Sequence, residues 1–131
     1  MNQEWLKYKL IVFDLDNTLY RETDYLFAAY HRIAEECAAT REEEDIYWHY
    51  LCSSFNREGR TDLFQRFKAK YSISISIAQM ISILRSTECE LTLFETQRGL
   101  IEQMLEKGKY VAILTNGNID QQHQKVKNLH I

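Results

Sequence analysis

The chain has 131 residues, 45% of them apolar, with 16 Lys+Arg against 19 Asp+Glu and a formal charge of −3. This is about one domain's length of globular chain, and an acidic balance without any Lys/Arg-rich block excludes a general nucleic-acid or membrane-surface binder, which needs a concentrated positive field. Three cysteines, Cys37, Cys52 and Cys89, are odd in number, widely spaced and form no CxxC pair, which suggests neither a disulfide framework nor a zinc site and fits a reducing compartment.

Residues 1–9 are polar, and the apolar run Leu10 to Phe13 is too short for a signal segment or a membrane span, so a cytoplasmic protein is expected. Four consecutive apolar residues, Leu10-Ile11-Val12-Phe13, ending abruptly at Asp14, predict a parallel strand buried on both faces. From Tyr25 the spacing turns helical, with Leu26, Tyr30, Ile33 and Cys37 on one stripe. A second helix is predicted from Glu42 to Phe55, where three acids open the first turn favourably for the helix dipole. Thr61 or Asp62 is placed to cap a third helix with the stripe Leu63, Phe64, Phe67 and Tyr71.

Ser72 to Ile77 alternates Ser and Ile with period two, which alone predicts a strand. The downstream spacing of Ile77, Met80, Ile81 and Leu84 equally fits a helix capped by Ser76. Leu100, Ile101, Met104 and Leu105 mark a helix stopped at Gly108. A second buried strand, Tyr110 to Leu114, then ends at Thr115-Asn116-Gly117, and a last helix runs from Ile119 to Asn128. Proline is absent and only four glycines occur, which leaves long stretches free to be helical.

Both strands therefore end in polar clusters, where open α/β sheets place their ligands. Alternation along a strand lets Asp14 and Asp16 point the same way, and two carboxylates together call for a cation or a shared proton. Mg²⁺, with oxygen ligands and a bridge to phosphate oxygens, suits such a pair, so phosphoryl chemistry is expected. One carboxylate can form an aspartyl-phosphate, and the other, if its neighbour raises its pKa, can serve as acid and then base. Thr115 and Asn116 can hold the equatorial phosphoryl oxygens. Alone, Asn116-Gly117 reads equally well as a tight hairpin turn.

Phe13-Asp14-Leu15-Asp16-Asn17-Thr18-Leu19-Tyr20 resembles motif I of the haloacid dehalogenase (HAD) superfamily, and Ile113-Leu114-Thr115-Asn116-Gly117 resembles its motif II. The resemblance implies an α/β fold: a HAD-like Rossmannoid core with an incomplete parallel sheet, residues 1–20 and 91–131, and an inserted α-helical cap, residues 21–90. It implies Asp14 as nucleophile, Asp16 as general acid/base, Thr115 with Asn116 as the phosphate-binding pair, Thr18 as loop support, and Asp14 with Asp16 at Mg²⁺. Asp16 points to the phosphatase branch, because dehalogenases similarly have the first acid but lack the second. Gln122 and Lys125 look like the subclass acting on phosphorylated small molecules, nucleotides included.

The family's motif III lysine and motif IV acids have no counterpart before Ile131. The expectation is an N-terminal fragment, a truncated product, or a chain that pairs its open sheet edge in a homodimer. Lys125 is read as a solvated helix position rather than a substitute for the missing lysine. The four histidines lack metal-ligand spacing, the basic segment 57–70 reads as a solvated face, and the aromatics from Tyr47 to Tyr71 as the cap's own core. The resulting expectation is an Mg²⁺-dependent phosphatase acting on a small phosphorylated substrate, without nucleic-acid or membrane partners. Its rival is a catalytically silent assembly module.

Overall fold

The computed structural model describes residues 4–131. After a short 3-10 turn at Glu4–Lys7 come strand β1 (Leu10–Phe13), helices α1 (Glu22–Cys37), α2 (Arg41–Glu58), α3 (Leu63–Tyr71), α4 (Ile77–Ser86) and α5 (Glu95–Glu106), strand β2 (Tyr110–Ile113) and helix α6 (Ile119–Asn128). The chain forms two compact units, one combining the segment up to Asp24 with Glu90–Ile131, the other Tyr25–Cys89. The first is an α/β core and the second is all helical. No helix among the described residues is long and apolar enough to cross a membrane.

In the first unit β1 and β2 pair in parallel, Leu10 opposite Tyr110 and Phe13 opposite Ile113. Further bonds extend the ladder at both ends, from Tyr110 N to Lys9 O (2.8 Å) and from Leu114 N to Phe13 O (2.9 Å). Parallel strands need a crossover, and α5 supplies its return leg. Gly108 ends α5 with a left-handed φ of 71°, which glycine adopts at no steric cost.

The strands are not buried on both faces, as their unbroken apolar runs predicted. Leu10, Val12 and Tyr110 are 49%, 50% and 72% exposed, whereas Ile11, Phe13, Val111 and Ile113 are half-buried. Ile101 of α5 and Val126 of α6 share a groove with Val111 and Ile113, so these helices gather on one face of a two-stranded sheet. The core beneath is built from Leu15, Leu19, Tyr20, Leu91, Met104 and Leu129.

In the second unit α1 buries Leu26, Ala29, Tyr30 and Ile33 along one stripe. The helix begins at Glu22, ahead of the predicted start, because Asn17 Oδ1 accepts from Glu22 N at 2.9 Å and ends the first turn as a cap would. Thr40 caps α2 through Glu43 N, 3.1 Å away. Rings of Tyr47, Phe67 and Tyr71 meet at centroid distances of 5.4 Å (Tyr47 to Phe67) and 5.0 Å (Tyr47 to Tyr71), an aromatic cluster of the kind expected from their helical stripes. On the surface His31 joins Glu35 of its own helix (3.2 Å) to Glu44 in the first turn of α2 (2.9 Å).

Two local expectations change. Asp62 precedes α3 in a left-handed conformation, φ 57°, and makes no side-chain cap. Arg66 secures that turn instead, bonding Thr61 O, Gly59 O, Ser54 Oγ and Glu58. The alternating Ser/Ile stretch is not a strand: Ser76 and Gln79 exchange reciprocal bonds of 2.7 and 3.1 Å in a capping box that opens α4. Lys68 Nζ takes the carbonyls of Ile73 and Ile75, each at 2.8 Å, the groups a neighbouring strand would have paired.

Candidate active site

Beyond Phe13 the chain turns sharply, with the backbone N–H groups of Thr18 and Leu19 both donating to Leu15 O at 3.2 and 3.0 Å. Asn17 adopts a left-handed φ of 59°, tolerable for asparagine, while the fully buried Leu15 and Leu19 anchor the loop. Thr18 supports the turn through its backbone; its hydroxyl makes no hydrogen bond among the described residues. Asp14 stands at the strand end, exposed, and its carboxylate has no hydrogen-bond or ion-pair partner among the described residues.

Asp16 is the opposite case. Its Oδ1 accepts from Tyr20 Oη at 2.6 Å and from Lys125 Nζ at 2.9 Å, and its Oδ2 accepts from Gln122 Nε2 at 3.0 Å. Burial acts most strongly on this carboxyl and pushes its pKa up, but the bonds from Tyr20, Lys125 and Gln122 and the Lys125 charge together outweigh it. The net shift is downward from the ordinary aspartate value. The sequence-based expectation that a neighbouring acid would raise the pKa of the second carboxyl is therefore corrected: the groups facing Asp16 are donors and an ammonium.

Lys125 is likewise not solvated. Its side chain is 2% exposed and reaches both Asp16 and, at 3.8 Å, Glu22. A buried lysine needs such partners, since an isolated charge out of water is strongly disfavoured. Gln122, one helical turn earlier, is 6% exposed, and spacing of i, i+3 puts the two on one face of α6. The clue in the sequence is the polar series Gln122, Lys125, Asn128 directly after a strand-end cluster, since these three are the buried residues of α6.

At the end of β2, Thr115 is half-buried and Asn116 exposed. Thr115 Oγ accepts from Gln122 Nε2 at 2.8 Å, so one amide touches both Asp16 and Thr115. Asn116 and Gly117 form no hairpin: the chain passes into α6, capped by Asn118 Oδ1 accepting from Gln121 N at 3.0 Å. Gly117 has φ 131°, and a Cβ there would lie 3.3 Å from Gln122 Cδ, so its missing side chain lets the backbone approach the Gln122 amide. The structure thus brings Asp16 and Thr115 together through α6, while Asp14 and Asn116 remain exposed at the ends of paired strands.

For a hard divalent cation the donor set divides. Asp14 offers a carboxylate unencumbered by other donors, which fits an ion held by one carboxylate, waters and substrate phosphate oxygens. Both Asp16 side-chain oxygens already accept from N–H or O–H groups, and an ion there would face the Lys125 ammonium. Of the two acids to which the sequence assigns a metal role, Asp14 alone keeps both side-chain oxygens without a donor among the described residues.

The family model for haloacid dehalogenase-like hydrolases matches residues 11–131. No curated protein matches the chain. Among solved structures, one described as a crystal structure analysis of a dehalogenase is similar at 22% sequence identity and a TM-score of 0.42, the match covering 91% of this chain and 56% of that one.

Proposed function

The chain belongs to the haloacid dehalogenase-like hydrolase family, and from that premise we propose that it is a phosphomonoester hydrolase working through an aspartyl-phosphate on Asp14. The observation that carries this reading is the contrast between the two acids. Asp14 is exposed and unbonded among the described residues, as a nucleophile must be, while Asp16 accepts from Tyr20, the buried Lys125 and Gln122, which together lower its pKa. In the first step an Asp14 oxygen attacks phosphorus, the bond to the leaving oxygen breaks, and that oxygen takes the proton that Asp16 carries in its protonated form. Thr115 and Asn116 donate to the equatorial oxygens, where transition-state charge collects. Asp16 then takes a proton from the water that attacks the acyl-phosphate, releasing phosphate and restoring Asp14. A substrate dianion beside Asp16 adds like charge and favours its protonated form, so the same group can protonate the next leaving oxygen. Mg²⁺ bound at Asp14 would neutralise charge on the transferring phosphoryl group. A small phosphorylated metabolite or nucleotide is the substrate class that fits.

The test is beryllofluoride binding followed by ¹⁹F NMR, with turnover of p-nitrophenyl phosphate measured in parallel. A bound, Mg²⁺-dependent signal lost in Asp14→Asn supports the reading. A folded chain giving neither signal nor turnover overturns it.

A second reading, an assembly module, is favoured by the exposed Leu10, Val12 and Tyr110 on the open sheet. Its partner would be a second copy pairing along the edge. Concentration-dependent dimer mass in light scattering, abolished by Val12→Lys, would support it; a monomer at all concentrations would exclude it.

A further inference from the structure

Gln122 Nε2 donates to Asp16 Oδ2 at 3.0 Å and to Thr115 Oγ at 2.8 Å. A primary amide has two N–H bonds, and both are committed here, one to each end of the candidate site. The flipped carboxamide would turn its oxygen toward an ionised carboxylate, so electrostatics fixes which atom faces Asp16. The contact also decides how Thr115 works. Because Oγ accepts from Gln122, its own hydrogen is left to donate, and its contact with the backbone acceptor Asn116 O is long, at 3.4 Å. Gly117 leaves room for this amide, since a Cβ there would stand 3.3 Å from Gln122 Cδ, and the Gln122 residue is 6% exposed.

We propose that Gln122 is a positioning residue that joins the two halves of the site, turning the Thr115 hydroxyl outward as a phosphoryl donor and holding the Asp16 carboxylate in register with it. This rests on the reading of Asp16 and Thr115 given above. A merely structural Gln122 would pack α6 against the strand-end loops and leave the ligand affinity of Thr115 unchanged.

The experiment compares the parent chain with Gln122→Leu, which keeps volume, and Gln122→Glu, which keeps shape but cannot donate in its ionised form. Gly117→Ala displaces the amide without removing it. The first readout is hydrogen exchange of the Gln122 side-chain amide by ¹⁵N NMR without ligand. Both N–H protons are expected to be protected in the parent chain, one of them released in Thr115→Val and both weakened in Gly117→Ala. The second readout is affinity for inorganic phosphate, expected to fall about tenfold in Gln122→Leu but hardly at all when Gln122→Leu is added to Thr115→Val. The third is p-nitrophenyl phosphate turnover, whose KM should rise in Gln122→Leu in step with the loss of phosphate affinity.

Unprotected Gln122 amide protons in the folded parent chain overturn the proposal, as does full additivity of Gln122→Leu with Thr115→Val. A parent chain that binds no phosphate overturns the hydrolase reading and the Thr115 half of this proposal together. The Gln122 amide exchange, needing no ligand, then decides the bridge between Asp16 and Thr115 by itself.

Discussion

Lys125 Nζ sits 2.9 Å from Asp16 Oδ1 with its side chain only 2% exposed. A residue on the last helix thus closes the loop after the first strand, and the ion pair ties the candidate general acid/base to α6. Neither partner is comfortable alone: the lysine is out of water, and Asp16 is half-buried among donors. Removing the ammonium by Lys125→Met, of similar stem length, should cost about 3–5 kcal/mol, the range for breaking a buried pair from one side. Urea unfolding checks it. The double variant Lys125→Met/Asp16→Asn should lose clearly less than the sum of the two single losses; strict additivity would show that the pair is not coupled.

The lowered pKa of Asp16 fixes the sign of a pH effect. A carboxyl whose folded-state pKa lies below its unfolded value binds fewer protons folded than unfolded. Its contribution is therefore present above the unfolded pKa, about 3.9, and is lost as pH falls through the folded value. Unfolding free energy measured from pH 7 downward should drop more steeply below about pH 4 in the parent chain than in Asp16→Asn. Parallel curves would show that Asp16 titrates alike in both states.

Much of this architecture was legible from spacing. The bounds of β1 and α6 and the stop at Gly108 follow from apolar runs and glycine chemistry, which are local signals. What was not legible is which faces are covered. Leu10-Ile11-Val12-Phe13 reads as a strand buried on both sides, yet Leu10 and Val12 are half exposed, because only tertiary packing says how many helices lie on a sheet. Lys125 shows the converse. In α6 the buried residues are Gln122, Lys125 and Asn128, so hydropathy periodicity points away from the face that carries the site. Asp14 and Asp16 could be placed at a strand end from sequence, but two of the three donors that set Asp16 apart, Gln122 and Lys125, lie 106 and 109 residues further along the chain, with Tyr20 alone close by.

The Ser/Ile stretch gives a local test of strand against helix. Ser76 accepts from Gln79 N at 3.1 Å and Gln79 returns a bond of 2.7 Å to Ser76 N. Ser76→Ala should cost about 1 kcal/mol through loss of the cap, and Ser74→Ala, at an exposed position outside the helix, only a few tenths, within the range of ordinary surface changes. Thermal unfolding of the two variants distinguishes them. Equal losses would show that period-two spacing, rather than the cap, organises this segment.

The cysteines make a last prediction that needs no substrate. Burial pushes the Cys37 thiol up to about 11, with the neighbouring Glu36 charge adding to it and Lys68 opposing, and burial alone does the same for Cys52. Since the thiolate is the reactive form, both thiols are almost wholly protonated near neutrality. Iodoacetamide labelling at pH 8, mapped by peptide mass spectrometry, should run at least about tenfold slower at Cys37 and Cys52 than at an unfolded cysteine. Both rates should climb as pH rises toward 11 and should reach the free-thiol rate in denaturant. Labelling of either residue at the free-thiol rate in the native chain would show that its burial is broken by frequent local opening.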